Sequence, residues 1–220
     1  MDEITDLLSQ KRLDKYKGNS KEDALKHHLY NSELAESFYQ SLSYIEIILR
    51  NKIDLVFSKY LGKAWIFDTQ YYVGKNKKHY EDALKRIERE KGVAALSKKD
   101  SFISEFPFGF WSFLFSDEYN DVIWKKHPQI LKEIFEYEKN KLPLSKYYRD
   151  INKIRIFRNK VFHYGSLIAF HYDDTHLGIL HNFMYNIMKN MGANKILKSI
   201  KNIDNFNATY KKGKELQILK

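Results

Sequence analysis

The stretch RIFRNKVFH (residues 155–163) decides how the fold of this chain is interpreted, and Tyr164 and Gly165 follow it directly. Its apolar residues recur at three- and four-residue spacing, which predicts an amphipathic helix from about 144 to 164, just after Pro143. The core-facing arc of this signature helix is expected to contain Ile151, Ile154, Phe157, Val161 and Phe162.

Polar residues of the signature helix form the candidate site. Arg155, Asn159 and His163 lie at i, i+4 and i+8 and therefore share one flank of the helix. Arg158, in contrast, falls inside the apolar arc, where a guanidinium is costly unless it is paired or faces an anionic ligand or a partner subunit. The simplest structural explanation for Arg158 is a buried ion pair.

The composition favours a helical globular protein. The 220 residues include only 9 glycines and 3 prolines, and no repeat or low-complexity linker interrupts the chain. We therefore expect an all-α fold with a single domain spanning residues 1–220. Lys and Arg exceed Asp and Glu by 38 to 28, a net charge of +10, which favours a polyanionic partner such as RNA.

The sequence predicts neither a metal or cofactor site nor a membrane location. Without cysteine the chain has no thiolate nucleophile and no cysteine-based zinc site, and its eight histidines form no metal-binding pattern. It also lacks a P-loop and a G-x-G-x-x-G motif, so we expect neither a metal nor a cofactor. No signal-peptide-like segment or long apolar run occurs. The expected protein is soluble and cytoplasmic, with no membrane partner.

The longest predicted helix runs from Leu34 to Tyr60, and one of its faces carries Glu46, Arg50 and Asp54 at successive i+4 steps, with Asn51 beside them. We prefer to interpret these residues as an intrahelical ion-pair ladder. The functional alternative is that Glu46 or Asn51 reaches Arg158 or bound RNA.

Three other segments of the sequence lead to specific structural predictions. Ser20 and Asp23 have the form of a capping box that opens a helix to about Tyr30, after which Asn31 offers a second cap. The aromatic block 106–124 is expected to be core or dimer interface rather than a surface for stacking bases. A basic extension, about 193–220, is expected to fray or to contact RNA as an arm.

The sequence resembles the bacterial Abi-like (abortive infection) family, whose core is a HEPN-type helical domain. The resemblance runs in order from near residue 9 to near residue 168. It is carried by SQKRLDKY from Ser9, ALKHHLYNSELAESFY from Ala24, YIEIILRNKI from Tyr44, GKAW from Gly62, FGFWSFLFSDEY from Phe108 and IRIFRNKVFHYG from Ile154.

This resemblance implies a metal-independent ribonuclease with an R-N-x-x-x-H signature, which here corresponds to Arg158, Asn159 and His163. Many relatives continue the signature with histidine, glutamate and proline, where this chain has Tyr164, Gly165 and Ser166. The resemblance also implies a site shared between two HEPN domains.

The residue types suit RNA cleavage, because RNA supplies its own nucleophile, the 2′-hydroxyl. His163 could act as base or acid, Asn159 could orient the imidazole, and Arg158 could neutralise the phosphate. Residues five apart project about 140° apart on a helix. A complete site therefore predicts a two-fold homodimer in which His163 of one copy approaches Arg158 of the other.

Three functional hypotheses follow. The first is a HEPN-type endoribonuclease acting as a toxin or phage-defence effector, with an antitoxin protein or non-coding RNA as a possible regulator. The second is a non-catalytic module that clamps a structured RNA, and the third is a structural dimerisation domain in which Glu46 or Asp54 pairs with Arg158. In the first two hypotheses, the candidates for RNA contact or for support of the site are Glu46, Arg50, Asn51, Arg155 and Tyr164.

Overall fold

The prediction of an all-α fold is confirmed. In a computed structural model of the protein, residues 3–16, 18–140, 142–170 and 176–219 are described, and these contain helices and turns but no strand. The α-helices are α1 (Glu3–Leu8), α2 (Gln10–Leu13), α3 (Lys21–Ser37), α4 (Tyr39–Tyr60), α5 (Lys75–Lys91), α6 (Lys99–Glu105), α7 (Phe108–Phe113), α8 (Pro128–Ile134), α9 (Leu144–Phe162), α10 (Leu177–Asn190), α11 (Asn194–Lys201) and α12 (Phe206–Glu215).

The chain divides into two compact units. Unit 1 consists of Met1–Ser43, Ile156–Tyr185 and Lys195–Lys220, and unit 2 of Tyr44–Arg155 and Asn186–Asn194. The prediction of a single domain is not tested by this division and stays a prediction.

The core of unit 1 brings together residues that are far apart in the sequence. The ring centre of Phe38 lies 4.6 Å from that of Phe157 and 4.6 Å from that of Phe206. Phe170 also packs against Phe157, at 4.9 Å between ring centres. Each of these aromatic contacts removes apolar surface from water, so the core of unit 1 depends on all three of its sequence segments.

The basic residues after 193 do not form an unfolded arm where the structure describes them. They build α11 and α12, whose Leu197, Ile200 and Phe206 are buried. Asp204, between the two helices, accepts hydrogen bonds from the Tyr185 hydroxyl and from the backbone N–H of Phe206, and its carboxylate also pairs with the ring of the buried His181. These contacts hold the segment between α11 and α12 against α10, within unit 1.

Unit 2 has an aromatic core, which confirms the core interpretation of the aromatic block. Phe106, Phe110, Trp111 and Phe115 are all at most 2% exposed. Asn76, at the start of α5, is fully buried and donates hydrogen bonds to the Phe110 carbonyl at 3.1 Å and the Tyr119 hydroxyl at 2.9 Å. These rings are therefore unavailable for stacking on bases.

The predicted helix boundaries hold in part. Ser20 caps α3 as expected, because its hydroxyl accepts a hydrogen bond from the backbone N–H of Asp23 at 3.1 Å. The second cap at Asn31 is wrong, since α3 continues to Ser37 and Asn31 uses its side chain elsewhere. The longest helix, α4, starts at Tyr39 rather than Leu34, after a turn at Phe38.

Candidate functional site

The signature helix is α9, and its buried face follows the predicted arc except at its end. Ile151, Ile154 and Phe157 are at most 1% exposed, and Val161 is half-buried. Phe162 was expected in the core and is instead 39% exposed. It lies at the last position of α9, on the edge of the arc, where its ring faces Tyr39 at 6.4 Å between ring centres.

Arg158 lies beside Phe162 rather than deep in the core. It is half-buried, and its guanidinium carbon is 4.6 Å from the centre of the Phe162 ring. The two residues are four apart on α9, so a cation–π contact forms between neighbours on the same helix face. Arg158 therefore sits at the border between the core and the exposed flank.

Asn159 and His163 are neighbours on the solvent-facing flank. The backbone N–H of His163 donates to the Asn159 carbonyl at 3.0 Å, and the His163 side chain is exposed. Within the described part of the chain, no side chain hydrogen-bonds the His163 imidazole. Arg155, one turn before Asn159, is tied to its own helix, because its Nε donates to Asn152 Oδ1 at 2.8 Å.

Next to His163, α9 ends in a C-terminal cap that consists of two backbone hydrogen bonds. The N–H of Tyr164 donates to the Val161 carbonyl at 3.2 Å, and the N–H of Gly165 donates to the Lys160 carbonyl at 2.8 Å. This is the Schellman arrangement, in which the residue at the Tyr164 position takes a left-handed conformation and is usually glycine. Tyr164 has φ 56°, and its side chain is 77% exposed.

Asn31 fixes the path of the chain after this cap. It is 5% exposed, its Nδ2 donates to the Gly165 carbonyl at 3.2 Å, and its Oδ1 accepts from the Leu167 N–H at 2.6 Å. The Arg12 guanidinium also donates to the Tyr164 carbonyl, at 3.4 Å. The end of the signature helix is therefore held from both α2 and α3.

The surroundings of this helix end are positively charged. Burial, and then the nearby charge of Lys15, lower the pKa of Lys160. Burial, and then the charge of Arg12, lower the pKa of His28. The Arg12 guanidinium on the Tyr164 carbonyl and Lys160, whose side chain lies against Gly165, therefore place positive charge beside the end of α9, which favours an anion there.

The other predicted residues lie in unit 2. Glu46 and Arg50 are half-buried and Asn51 is exposed on α4. The predicted ladder is not continued to Asp54, whose carboxylate pairs with Lys99 at 2.6 Å and accepts from Trp65 Nε1 at 2.8 Å. A role for Glu46, Arg50 or Asn51 toward RNA, and the pairing of Glu46 with Arg158, stay predictions.

Sequence reasoning missed several residues at this site. Asn31 was interpreted as a cap because asparagine often starts helices, yet it lies between the buried Tyr30 and Leu34, and a polar residue there signals a buried hydrogen-bonding role. The sequence around Tyr39, which is 59% exposed, and around Arg12 contains no pattern that would mark either residue as part of the site.

The residues that the structure describes also bear on metal binding and on membranes. No group of three or more His, Asp or Glu side chains there comes together in a way that could hold a metal ion. Nor is any helix among these residues both long enough and apolar enough to cross a bilayer.

Comparison with known proteins gave no match to a family model, to a curated protein or to a solved structure. The assignment of this site therefore depends on its own geometry and on the resemblance of its sequence motifs.

Replacing Asn31 with Ala should lower the free energy of unfolding by about 2–3 kcal/mol, because two hydrogen bonds are lost and the Leu167 N–H stays buried without an acceptor. Equilibrium denaturation in urea measures this effect. Ser32→Ala, at the adjacent exposed position, is the matched control and should change stability by less than about 0.5 kcal/mol. Equal effects of the two variants would contradict the role of Asn31.

Replacing Tyr164 with Gly should raise the free energy of unfolding by about 0.5–1 kcal/mol, because glycine adopts the left-handed conformation without steric cost. Thermal unfolding followed by circular dichroism measures the change. Tyr164→Ala is the control and should give no gain, since alanine retains the cost of a positive φ. Stabilisation by alanine as large as that by glycine would refute the backbone explanation.

Proposed function

We propose that this protein is a HEPN-type, metal-independent endoribonuclease that acts as an abortive-infection, phage-defence or toxin effector. The observation that carries the proposal is the exposed His163 at the end of α9, with Asn159 one turn before it and the Arg12 guanidinium on the carbonyl of the next residue, Tyr164. An exposed imidazole is accessible to a substrate and can act on it as a general base or acid. Cations beside it attract the phosphate on which that proton transfer acts.

In this proposal the residues of the signature divide the chemistry between them. His163 takes the proton from the 2′-hydroxyl of RNA, or gives one to the leaving 5′-oxygen. Arg158 stabilises the negative charge that develops on the phosphate. Asn159 orients the imidazole once RNA is bound.

Two copies of the chain are needed for this division of roles. Arg158 packs on Phe162, while His163 projects about 140° away from Arg158 around α9. A two-fold homodimer with antiparallel signature helices would bring His163 of one copy toward Arg158 of the other. It would also supply two imidazoles, one for each proton transfer.

Exposed aromatic rings beside the site support RNA as the substrate. Phe162 and Tyr39 are 39% and 59% exposed, in contrast to the buried rings of unit 2. Unpaired bases stack on aromatic rings and on the guanidinium plane of arginine. RNA with unpaired nucleotides next to the cleaved bond is therefore the substrate that this surface suits best.

A second function, a non-catalytic module that clamps structured RNA, is favoured by one observation. The His163 imidazole has no side-chain hydrogen bond among the described residues, so none of these side chains fixes the orientation of its ring. An RNA-binding module needs the same cations and aromatic rings but no oriented imidazole. An antitoxin protein or a non-coding RNA could regulate either form.

The test is the cleavage of mixed cellular RNA in EDTA by wild type and by His163→Ala. Wild type is expected to cut and to leave 2′,3′-cyclic phosphate and 5′-hydroxyl ends, because the 2′-hydroxyl is the nucleophile. His163→Ala should lose at least about 100-fold in rate while keeping its affinity for RNA. His127→Ala, a change of the same residue type in unit 2, is the control and should cut as wild type does. If wild type binds RNA tightly but does not cut it, the binding-module function replaces the enzymatic one.

Activity should also depend on dimer formation. On dilution, the specific activity is expected to fall in parallel with the dimer fraction, because a monomer lacks the second copy's Arg158. Sedimentation velocity and cleavage rates at matched concentrations measure the two quantities. A monomer with full specific activity during turnover would rule out the shared site.

A further inference from the structure

Unit 1 contains a cavity of about 430 Å³ that the proposed ribonuclease chemistry does not use. Its floor is apolar, because Phe170, Leu177, Ile218 and Leu219 line it and are each at most 7% exposed. A cavity of this size lies within the range of small-ligand sites, about 300–1,000 Å³. We call it the Lys15 pocket.

The rim of the Lys15 pocket is polar and basic. It is lined by Lys15, His27, His176 and Gln217, of which Lys15, His176 and Gln217 are exposed. No carboxylate occurs among the described residues that line it. Among the described residues, Lys15 and Gln217 therefore offer a ligand at this rim donors without an opposing carboxylate, which suits a phosphate group.

Aromatic rings form part of the lining of the pocket. Tyr210 lines the pocket together with Phe170. The rings of Tyr210 and His176 both adjoin Gly178, where a β-carbon would lie 3.7 Å from the first and 3.5 Å from the second. Lys160 extends the positive charge toward this region, since its ammonium is 5.3 Å from the centre of the Phe170 ring. The pocket thus combines flat apolar surfaces with the ammonium groups of Lys15, in its lining, and of Lys160, beside Phe170.

We propose that the Lys15 pocket binds a nucleoside monophosphate, with the base on the apolar floor and the phosphate at the rim formed by Lys15 and His176. The apolar floor favours a planar ring over a free phosphate ion, and the basic rim favours a phosphorylated ligand over a neutral nucleoside. The pocket is distinct from the flank that carries Asn159 and His163, so the proposal does not depend on RNA cleavage.

Isothermal titration calorimetry on the full chain tests the proposal with three probes: AMP, adenosine and inorganic phosphate. AMP is expected to bind at one site per chain, at least about tenfold more tightly than either fragment, because each fragment keeps only one part of the contact. No AMP binding at millimolar concentration, or adenosine binding as tightly as AMP, would overturn it.

Variants assign the binding to the pocket. Lys15→Ala combined with His176→Ala should weaken AMP binding at least about tenfold, and both side chains are exposed, so the fold is expected to persist. Lys198→Ala combined with His127→Ala changes the same residue types elsewhere and should leave AMP binding unchanged. An equal loss in both double variants refutes the assignment. If a 5′-phosphorylated RNA oligonucleotide binds through Lys15 and His176 and AMP does not, the pocket recognises RNA ends and the mononucleotide proposal fails.

Discussion

The two hydrogen bonds of the buried Asn31 side chain are the constraint on which the candidate site depends. They hold the Gly165 carbonyl and the Leu167 N–H, and so fix the direction in which the chain leaves α9. A buried amide that satisfies both a donor and an acceptor is costly to replace, because any apolar side chain leaves backbone groups unpaired. The position of His163, two residues before Gly165, follows from this contact.

The cap at the end of α9 makes His163 accessible. Tyr164 takes the left-handed conformation and Gly165 closes the cap on Lys160, so the helix stops within two residues of the imidazole. A longer helix would continue the flank of Asn159 and His163 with further side chains. The early stop leaves the imidazole at the boundary between an ordered helix and solvent, beside the cations of α2 and α9.

Periodicity in the sequence was enough to predict the helical fold, the start of α9 after Pro143 and the aromatic core of unit 2, because these features depend on local spacing and burial. It could not predict the role of Asn31, whose partners lie more than 130 residues away. It misplaced Phe162, because helical geometry gives the direction of a side chain but not where the neighbouring core ends. The folded tail was missed because its many lysines conceal the buried Leu197, Ile200 and Phe206.

The discontinuous composition of unit 1 has a consequence for the order in which the protein folds during synthesis. Its core joins Phe38 and Phe157 to Phe206, and the Tyr30 hydroxyl donates to the Thr209 carbonyl at 3.0 Å. A growing chain on the ribosome therefore carries α3 and α9 long before α12 exists to cover them. Since contacts distant in sequence form late, the core of unit 1 is complete only when residues 206–219 have been translated.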